Sequence, residues 1–301
     1  MSEEPELPVA IYRSASRASC EERSFVLMAV GIASVVSFDG SQHVLGVNPA
    51  DEAAGIEQLA SYARESRRPA APPAAHQAPP HLYRHAWAGC VGYVGVLYGI
   101  AWAVSTGVWR VDMFERGELQ AQAVQAGQWW RAWTALTLHR DGAHLFANLG
   151  GGVWFGYLAA RLLGVGTAWL LIVTGAALAN LFDGRFGPPD YQSVGASTAV
   201  FTALGLSAAY SWRTRLLLPQ RWAQRWAPLI GGVVLLGWFG SAGEGTDLVA
   251  HALGFTVGCL LGAAAALRAI NVLLDRVPQL ILALAAAGSI AVCWMLALRA
   301  P

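Results

Sequence analysis

Seven apolar segments, most of them as long as a membrane-spanning helix, follow one another beyond residue 84. A helix needs about 20 residues to cross about 30 Å of hydrocarbon. The segments cover residues 85–109, 144–163, 166–183, 194–212, 227–241, 247–269 and 277–298. The fifth is short, so it would have to thin the bilayer locally or extend into its flanks. This pattern predicts an all-α, polytopic membrane domain.

The composition supports this fold class and excludes others. Hydrophobic residues make up 55% of the 301 residues and charged residues 13%, which is too apolar for an ordinary soluble domain of this size. A formal net charge of +1 gives no case for nucleic acid binding. Cys20, Cys90, Cys259 and Cys293 show neither CxxC nor Cys/His spacing, so we expect no metal site, no cofactor and no disulfide framework.

The first 84 residues have a different character. Residues 9–66 show short β-branched strands and helices with apolar positions at helical spacing, in the order β-α-β-β-α, which predicts a small α+β domain at 1–66. Asp39-Gly40 predicts a tight turn between the second and third strands. Residues 67–84 are rich in Pro and Ala and predict an extended linker. The acidic N-terminus has no signal peptide, so we expect this domain to be cytoplasmic.

The distribution of arginine predicts the orientation of the membrane domain. If the N-terminus is cytoplasmic, the connection between the fourth and fifth segments is also cytoplasmic. This connection holds Arg213, Arg215, Arg221 and Arg225, as the positive-inside rule requires. The first external loop, residues 110–143, holds four arginines as well. The predicted orientation therefore rests on the fourth-to-fifth connection and on Arg84 beside the first segment.

Three apolar segments carry polar residues of the kinds that take part in catalysis. Ser197 lies in the fourth and His251 in the sixth, while His144 and Asn148 lie four residues apart at the start of the second, on one helix face. Such groups are costly in hydrocarbon and indicate a functional site. A nucleophile, a base and two hydrogen-bond donors on membrane helices suggest hydrolysis within the membrane. Taken singly, each is also compatible with a packing or hydrogen-bonding role between helices.

The segments around these residues resemble the rhomboid family of intramembrane serine proteases. GQWWRAWTALTLHRDGAHLFANLGGG, residues 127–152, is similar to the Trp-Arg segment of the family's first loop and the His-x-x-x-Asn that follows it. Gly195–Thr198 matches the family's Gly-x-Ser-Gly except at its last position. The run Ala-His-x-x-Gly-x-x-x-Gly, from Ala250 to Gly258, and the six-helix spacing complete a resemblance that covers about residues 85–269.

The resemblance implies a fold and an activity. It implies a six-helix catalytic core at 85–269, followed by an additional C-terminal transmembrane helix within 270–301. It implies a serine endopeptidase of a bacterial inner membrane that cleaves transmembrane protein substrates inside the lipid bilayer, with Ser197 as nucleophile and His251 as general base. It also implies an oxyanion hole made by His144, Asn148 and the backbone N–H of Ser197. The supporting residues that it implies are Phe201 against the imidazole, Gly195, Gly254 and Gly258.

Four further points concern individual positions in the sequence. Gly254, Gly258 and Gly262 share one face of the sixth helix, and the resemblance implies that this face packs on the serine helix. Asp247 is either a third catalytic acid or a helix N-cap, and we favour the N-cap. His139 resembles a family histidine that supports the first loop, and we assign it no chemistry.

The fourth point is Thr198, which departs from the family pattern. Its β-branched side chain adds bulk beside the implied oxyanion site. We expect the neighbouring helices to have adapted to it. The alternative function is a proteolytically inactive rhomboid-like protein that binds transmembrane clients.

Overall fold

We describe a computed structural model of the chain over residues 8–66, 82–215, 222–240 and 247–300. About 74% of the structure is helical. The chain divides into two compact units, Met1–Gln77 and Ala78–Pro301. Most of the predicted linker, residues 67–81, lies outside the described ranges.

The first unit contains a three-stranded antiparallel sheet and two helices. Its elements are β1 (Val9–Ser14), α1 (Arg17–Ala29), β2 (Ser34–Phe38), β3 (His43–Val47), a 3₁₀ turn (Pro49–Asp51) and α2 (Glu52–Ser66). The strand order is β1-β3-β2. Asp39 closes the turn between β2 and β3, because its carboxylate accepts the backbone N–H groups of Ser41 and Gln42, each at 2.9 Å. Leu27, Leu45 and Val47 form the buried core of the unit.

The second unit is built from long helices. Its elements are α3 (Trp87–Thr106), α4 (Met113–Gly117), β4 (Leu119–Gln120), α5 (Ala121–Gln125), α6 (Arg131–Thr134), a 3₁₀ turn (Ala135–Thr137), α7 (Gly142–Leu163), α8 (Val165–Phe186), β5 (Gln192–Ser193), α9 (Ser197–Arg215), α10 (Trp222–Gly240), α11 (Leu248–Ala265), α12 (Arg268–Asp275) and α13 (Gln279–Arg299). Each of the seven predicted apolar segments overlaps one long helix. Within the described ranges, α3, α8, α11 and α13 are long and apolar enough to cross a membrane.

Helix α10 begins earlier than the sequence indicated. The expected segment began at residue 227, but the helix begins at Trp222 and has Pro228 inside it. A proline has no N–H to offer the carbonyl four residues before it. That carbonyl belongs to Gln224 and accepts a hydrogen bond from the guanidinium of Arg215 at 3.0 Å instead. The helix therefore continues through the proline.

The connection between α3 and α7, predicted to be the first external loop, is a folded element that no sequence pattern indicated. Between α3 and α7 the chain forms three short helices, and β4 pairs with β5. The side chain of Arg131 holds this element together. It is 6% exposed and donates to the backbone carbonyls of Glu115 and Glu118, each at 2.8 Å. A buried guanidinium is stabilised only when such acceptors surround it.

The last helix, α13, is attached at both of its ends. At its start the Gln279 side chain accepts the N–H groups of Gly166 and Thr167, at 2.8 and 3.1 Å, and so caps the first turn of α8. Near its end the indole of Trp294 donates to the hydroxyl of Thr137 in the folded loop at 3.0 Å. Helix α13 therefore extends from the start of α8 to the folded loop.

Candidate active site

The backbone immediately before Ser197 is held by the folded loop. Ser197 is the first residue of α9 and is half-buried. The N–H of Gly195 donates to the carbonyl of Ala135 at 2.9 Å, and the N–H of Ala196 donates to Nε2 of His139 at 3.3 Å. These two bonds fix the entry of the chain into the helix. The first-turn N–H groups of such a helix point toward its N-terminal end, where they can bind an anion.

Gly195 is required both by its backbone and by its surroundings. Its φ of +129° lies in the region that side-chain-bearing residues rarely adopt. A β-carbon added there would lie 2.7 Å from Cε1 and Nε2 of His144 and 3.6 Å from Nδ2 of Asn148. The polar ends of both side chains therefore lie close to the residue two positions before Ser197.

Local hydrogen bonds orient His144 and Asn148. The carboxylate of Asp141 caps α7 by accepting the N–H of His144 at 2.8 Å. Asn148 is 5% exposed, and its Nδ2 donates to the carbonyl of His144 at 3.1 Å. The hydroxyl of Tyr93 on α3 donates to the carbonyl of Asn148 at 2.8 Å. The amide retains a second N–H, so it can still donate to a ligand.

His251 is buried at the start of α11 and packs on α9. Its side chain is 7% exposed, and its ring lies 4.5 Å from the ring of Phe201, centroid to centroid, with 36° between the planes. Phe201 follows Ser197 by four residues, so it occupies the same face of α9 one turn further on. The structure thus brings the imidazole to the face of α9 that carries the serine.

Asp247 acts as the N-cap of α11. One carboxylate oxygen accepts the N–H of Ala250 at 2.9 Å, and the other accepts the hydroxyl of Tyr191. Burial, together with the bond to Asp247, raises the pKa of Tyr191 above its ordinary value, so the phenol stays a donor at neutral pH. No pattern in the sequence indicated this contact between the loop before Ser197 and the first turn of α11, because Tyr191 belongs to no periodic segment.

Helices α9 and α11 approach each other backbone to backbone. A β-carbon at Gly254 would lie 2.6 Å from the carbonyl oxygen of Thr198, and β-carbons at Gly258 and Gly262 would overlap the carbonyl oxygens of Thr202 and Leu206. From one contact to the next, the residue number rises by four on both helices, so α9 and α11 run parallel. This close packing sets how the serine and the histidine stand relative to each other.

The Thr198 side chain is directed toward α11. It is 3% exposed, and its methyl carbon would lie 3.1 Å from a β-carbon at Gly254. Its carbonyl accepts the hydroxyl of Thr202 at 2.7 Å. The β-branched group therefore occupies the space that the missing side chain of Gly254 leaves.

His139 supports the site as a neutral acceptor. Burial, and secondarily the neighbouring His144, lowers the pKa of His139 to about 4. The two rings are 5.0 Å apart, centroid to centroid. At neutral pH the imidazole is therefore uncharged, and one ring nitrogen can accept the N–H of Ala196. Across the parts of the chain that the structure describes, no three His, Cys, Asp or Glu residues form a group able to hold a metal ion.

The part of the chain that contains these residues is similar to known proteins. Residues 126–268 match the family model for the Rhomboid domain. The chain is also 28% identical over 138 residues to the "Putative rhomboid protease YdcA" of Bacillus subtilis (strain 168), an alignment that covers 46% of this chain and 68% of that protein. The matched domain contains Ser197, His251, His144 and Asn148.

Proposed function

Because residues 126–268 match the family model for the Rhomboid domain, we propose that the chain is an intramembrane serine endopeptidase in which Ser197 and His251 form the catalytic dyad. The observation that carries this proposal is the meeting of three helices at one point. Helix α7 presents His144 and Asn148 at Gly195, two residues before Ser197, and α11 presents His251 beside Phe201, four residues after it.

In this proposal His251 accepts the proton of the Ser197 hydroxyl as the oxygen attacks a substrate carbonyl. The negative charge that develops on the carbonyl oxygen is stabilised by Nε2 of His144, Nδ2 of Asn148 and the N–H of Ser197. Donors of this kind contribute roughly 3 to 4 kcal/mol each in the transition state. His251 then protonates the leaving amine, and water hydrolyses the acyl-enzyme by the same steps.

The membrane arrangement belongs to the same proposal. Helices α3, α7, α8, α9, α10 and α11 form the six-helix core, and α13 is the additional span. The α+β unit at residues 1–66 lies in the cytoplasm of a bacterial cell, and α9 and α11 begin toward the external face of the inner membrane. The substrates are transmembrane segments of other membrane proteins, cleaved near that face.

A second candidate is a proteolytically silent rhomboid-like protein that binds transmembrane clients. Thr198 favours it, because it replaces the family's usual glycine directly after the serine. The direction of the Thr198 side chain argues for the protease, since that side chain packs toward Gly254.

Substitution of the dyad distinguishes the two candidates. Ser197→Ala and His251→Ala should each reduce cleavage of a model transmembrane substrate to background, with melting temperatures close to that of the wild type. A fluorophosphonate probe should label the wild type and fail to label Ser197→Ala. The matched control is Ser207→Ala, ten residues further along α9, where the hydroxyl bonds the carbonyl of Ala203 at 2.8 Å. Equal cleavage by the wild type and Ser197→Ala would exclude the protease.

A further inference from the structure

A groove of about 370 Å³ lies between α3, α8 and α13. Small residues leave it open at the surface: Ala88, Gly92 and Ala287 line it and are exposed. A β-carbon added at Gly92 would meet nothing within 4 Å. All three helices are long and apolar enough to cross a membrane, so the groove faces hydrocarbon.

Three polar side chains along the groove, Tyr93, Thr137 and Gln279, are hydrogen-bonded within the protein, whereas the indole N–H of Trp169, which also lines it, is buried without a partner. The hydroxyl of Tyr93 donates to the carbonyl of Asn148, and that of Thr137 donates to the carbonyl of Thr134, both at 2.8 Å. The Gln279 amide is bound to the first turn of α8. Most of the remaining lining residues are aliphatic, so the groove presents mainly carbon.

The length of the groove fits one hydrocarbon chain. Its lining runs along α3 from Ala88 to Leu97, which is about 14 Å at 1.5 Å per residue. This is close to the roughly 15 Å depth of one leaflet's hydrocarbon.

One end of the groove is positively polarised. Gly89 of α3 abuts Trp169 of α8, and Gly166 of α8 abuts Gln279 of α13, so the three helices begin at the same end. Their dipoles place partial positive charge there. Arg84 precedes the groove-lining His85 and Arg276 precedes α13, and both arginines are exposed. Asp275 also lies near this end, and its carboxylate accepts the hydroxyl of Tyr83 at 3.5 Å.

We propose that this groove binds one acyl chain of an anionic phospholipid, whose phosphate lies at the end where α3, α8 and α13 begin. An apolar channel as deep as one leaflet, with a cationic mouth, matches a lipid that carries both a hydrocarbon chain and a negative charge. In the predicted orientation, this lipid belongs to the cytoplasmic leaflet.

The bound acyl chain also contacts the helix that carries Ser197. Ala196 and Ala199, on either side of Ser197, form part of the groove wall. An acyl chain in the groove therefore packs against the first turn of α9. The binding itself is independent of proteolysis, so it is tested by lipid affinity alone.

The acyl-chain site is tested with a pair of matched variants. Gly92→Leu places a side chain in the groove, whereas Gly95→Leu, on the same helix, places one where a β-carbon also meets nothing within 4 Å but outside the groove. The full chain is purified in detergent, and dioleoyl phosphatidylglycerol is titrated with native mass spectrometry as the readout. Gly92→Leu should bind about tenfold more weakly, equivalent to about 1.4 kcal/mol, and Gly95→Leu should bind like the wild type. Equal affinity in both variants would overturn the site.

The charge of the headgroup is tested with a second pair. Arg84→Gln should weaken phosphatidylglycerol binding about fivefold, equivalent to about 1 kcal/mol. Arg299→Gln, at the opposite end of α13, should leave it unchanged. Dioleoyl phosphatidylcholine should bind more weakly than phosphatidylglycerol to the wild type. Equal binding of the two lipids would refute the anionic headgroup.

The identity of the occupant is tested by photolabelling. Phosphatidylglycerol with a diazirine in one acyl chain should label peptides of α3 and α13 in the wild type, and less so in Gly92→Leu. Labelling spread evenly over all the helices would show only general contact with lipid. A second protein crosslinked from a photoreactive residue at position 92 would assign the groove to a protein partner and overturn the proposal.

Discussion

Thr198 departs from the motif that this chain otherwise resembles, and its side chain is directed toward the neighbouring helix α11. Its methyl group fills the space beside Gly254, and its carbonyl accepts the hydroxyl of Thr202. The bulk that the sequence placed next to the oxyanion site is thus directed toward the neighbouring helix. A smaller residue would leave a gap between α9 and α11.

We therefore predict that Thr198→Gly costs stability and does not accelerate cleavage. Glycine in a helix costs about 0.5 to 1 kcal/mol relative to alanine through unfolded-chain entropy, and the lost packing adds to this. The measurement is the melting temperature and the turnover number of both proteins in one detergent. Thr198→Ser, which keeps the hydroxyl and removes the methyl group, is the matched control for packing. A large gain in turnover at unchanged stability would show that the threonine does crowd the oxyanion site.

At the scale of elements, the parallel pair α9 and α11 sets the geometry on which the proposed chemistry depends. The glycines of α11 let its backbone approach the carbonyl oxygens of α9. Because both helices begin at the proposed site, any separation between them moves Ser197 away from His251. The folded loop adds a second constraint through its bonds to Gly195 and Ala196.

Gly258→Ala should destabilise the protein, because its β-carbon overlaps the carbonyl oxygen of Thr202. Overpacking of this kind typically costs about 1 to 3 kcal/mol. The control is Gly231→Ala on α10, where a β-carbon meets nothing within 4 Å. Its melting temperature should stay the same or rise, since alanine favours the helix. Thermal unfolding of both variants is the measurement, and equal melting temperatures would contradict the close approach of α9 and α11.

At the scale of the whole molecule, the chain consists of two units with separate cores. Leu27, Leu45 and Val47 form a buried cluster inside the first unit. The groups proposed for catalysis all lie in the second. We infer that the membrane unit does not need the α+β unit to keep its structure.

A chain that begins at His81 should accordingly keep its melting temperature and cleave a model substrate in detergent at a rate close to that of the full chain. The same truncation with Ser197→Ala supplies the background rate. If the truncated protein is folded but inactive, the α+β unit is part of the catalytic machinery, and the inference that the membrane unit does not need it is wrong.

The amino-acid sequence by itself indicated the resemblance to the rhomboid family and the places where the long helices form. Apolar length and helical periodicity are local properties, so each of the seven apolar segments could be recognised without knowledge of its neighbours. The motifs around Ser197 and His251 likewise lie within a few consecutive residues. The catalytic roles of these residues stay predictions.

Only the tertiary structure decided how these segments meet. In the first turns of α10, the carbonyl of Gln224 that Pro228 leaves without an N–H donor accepts a hydrogen bond from Arg215 instead. The folded loop depends on Arg131 and on the pairing of β4 with β5, elements too short to show any periodicity. Asp247 and Tyr191 lie 56 residues apart, yet their bond joins two elements at the site. Such contacts join residues distant in the chain, so their partners emerge only when the helices pack.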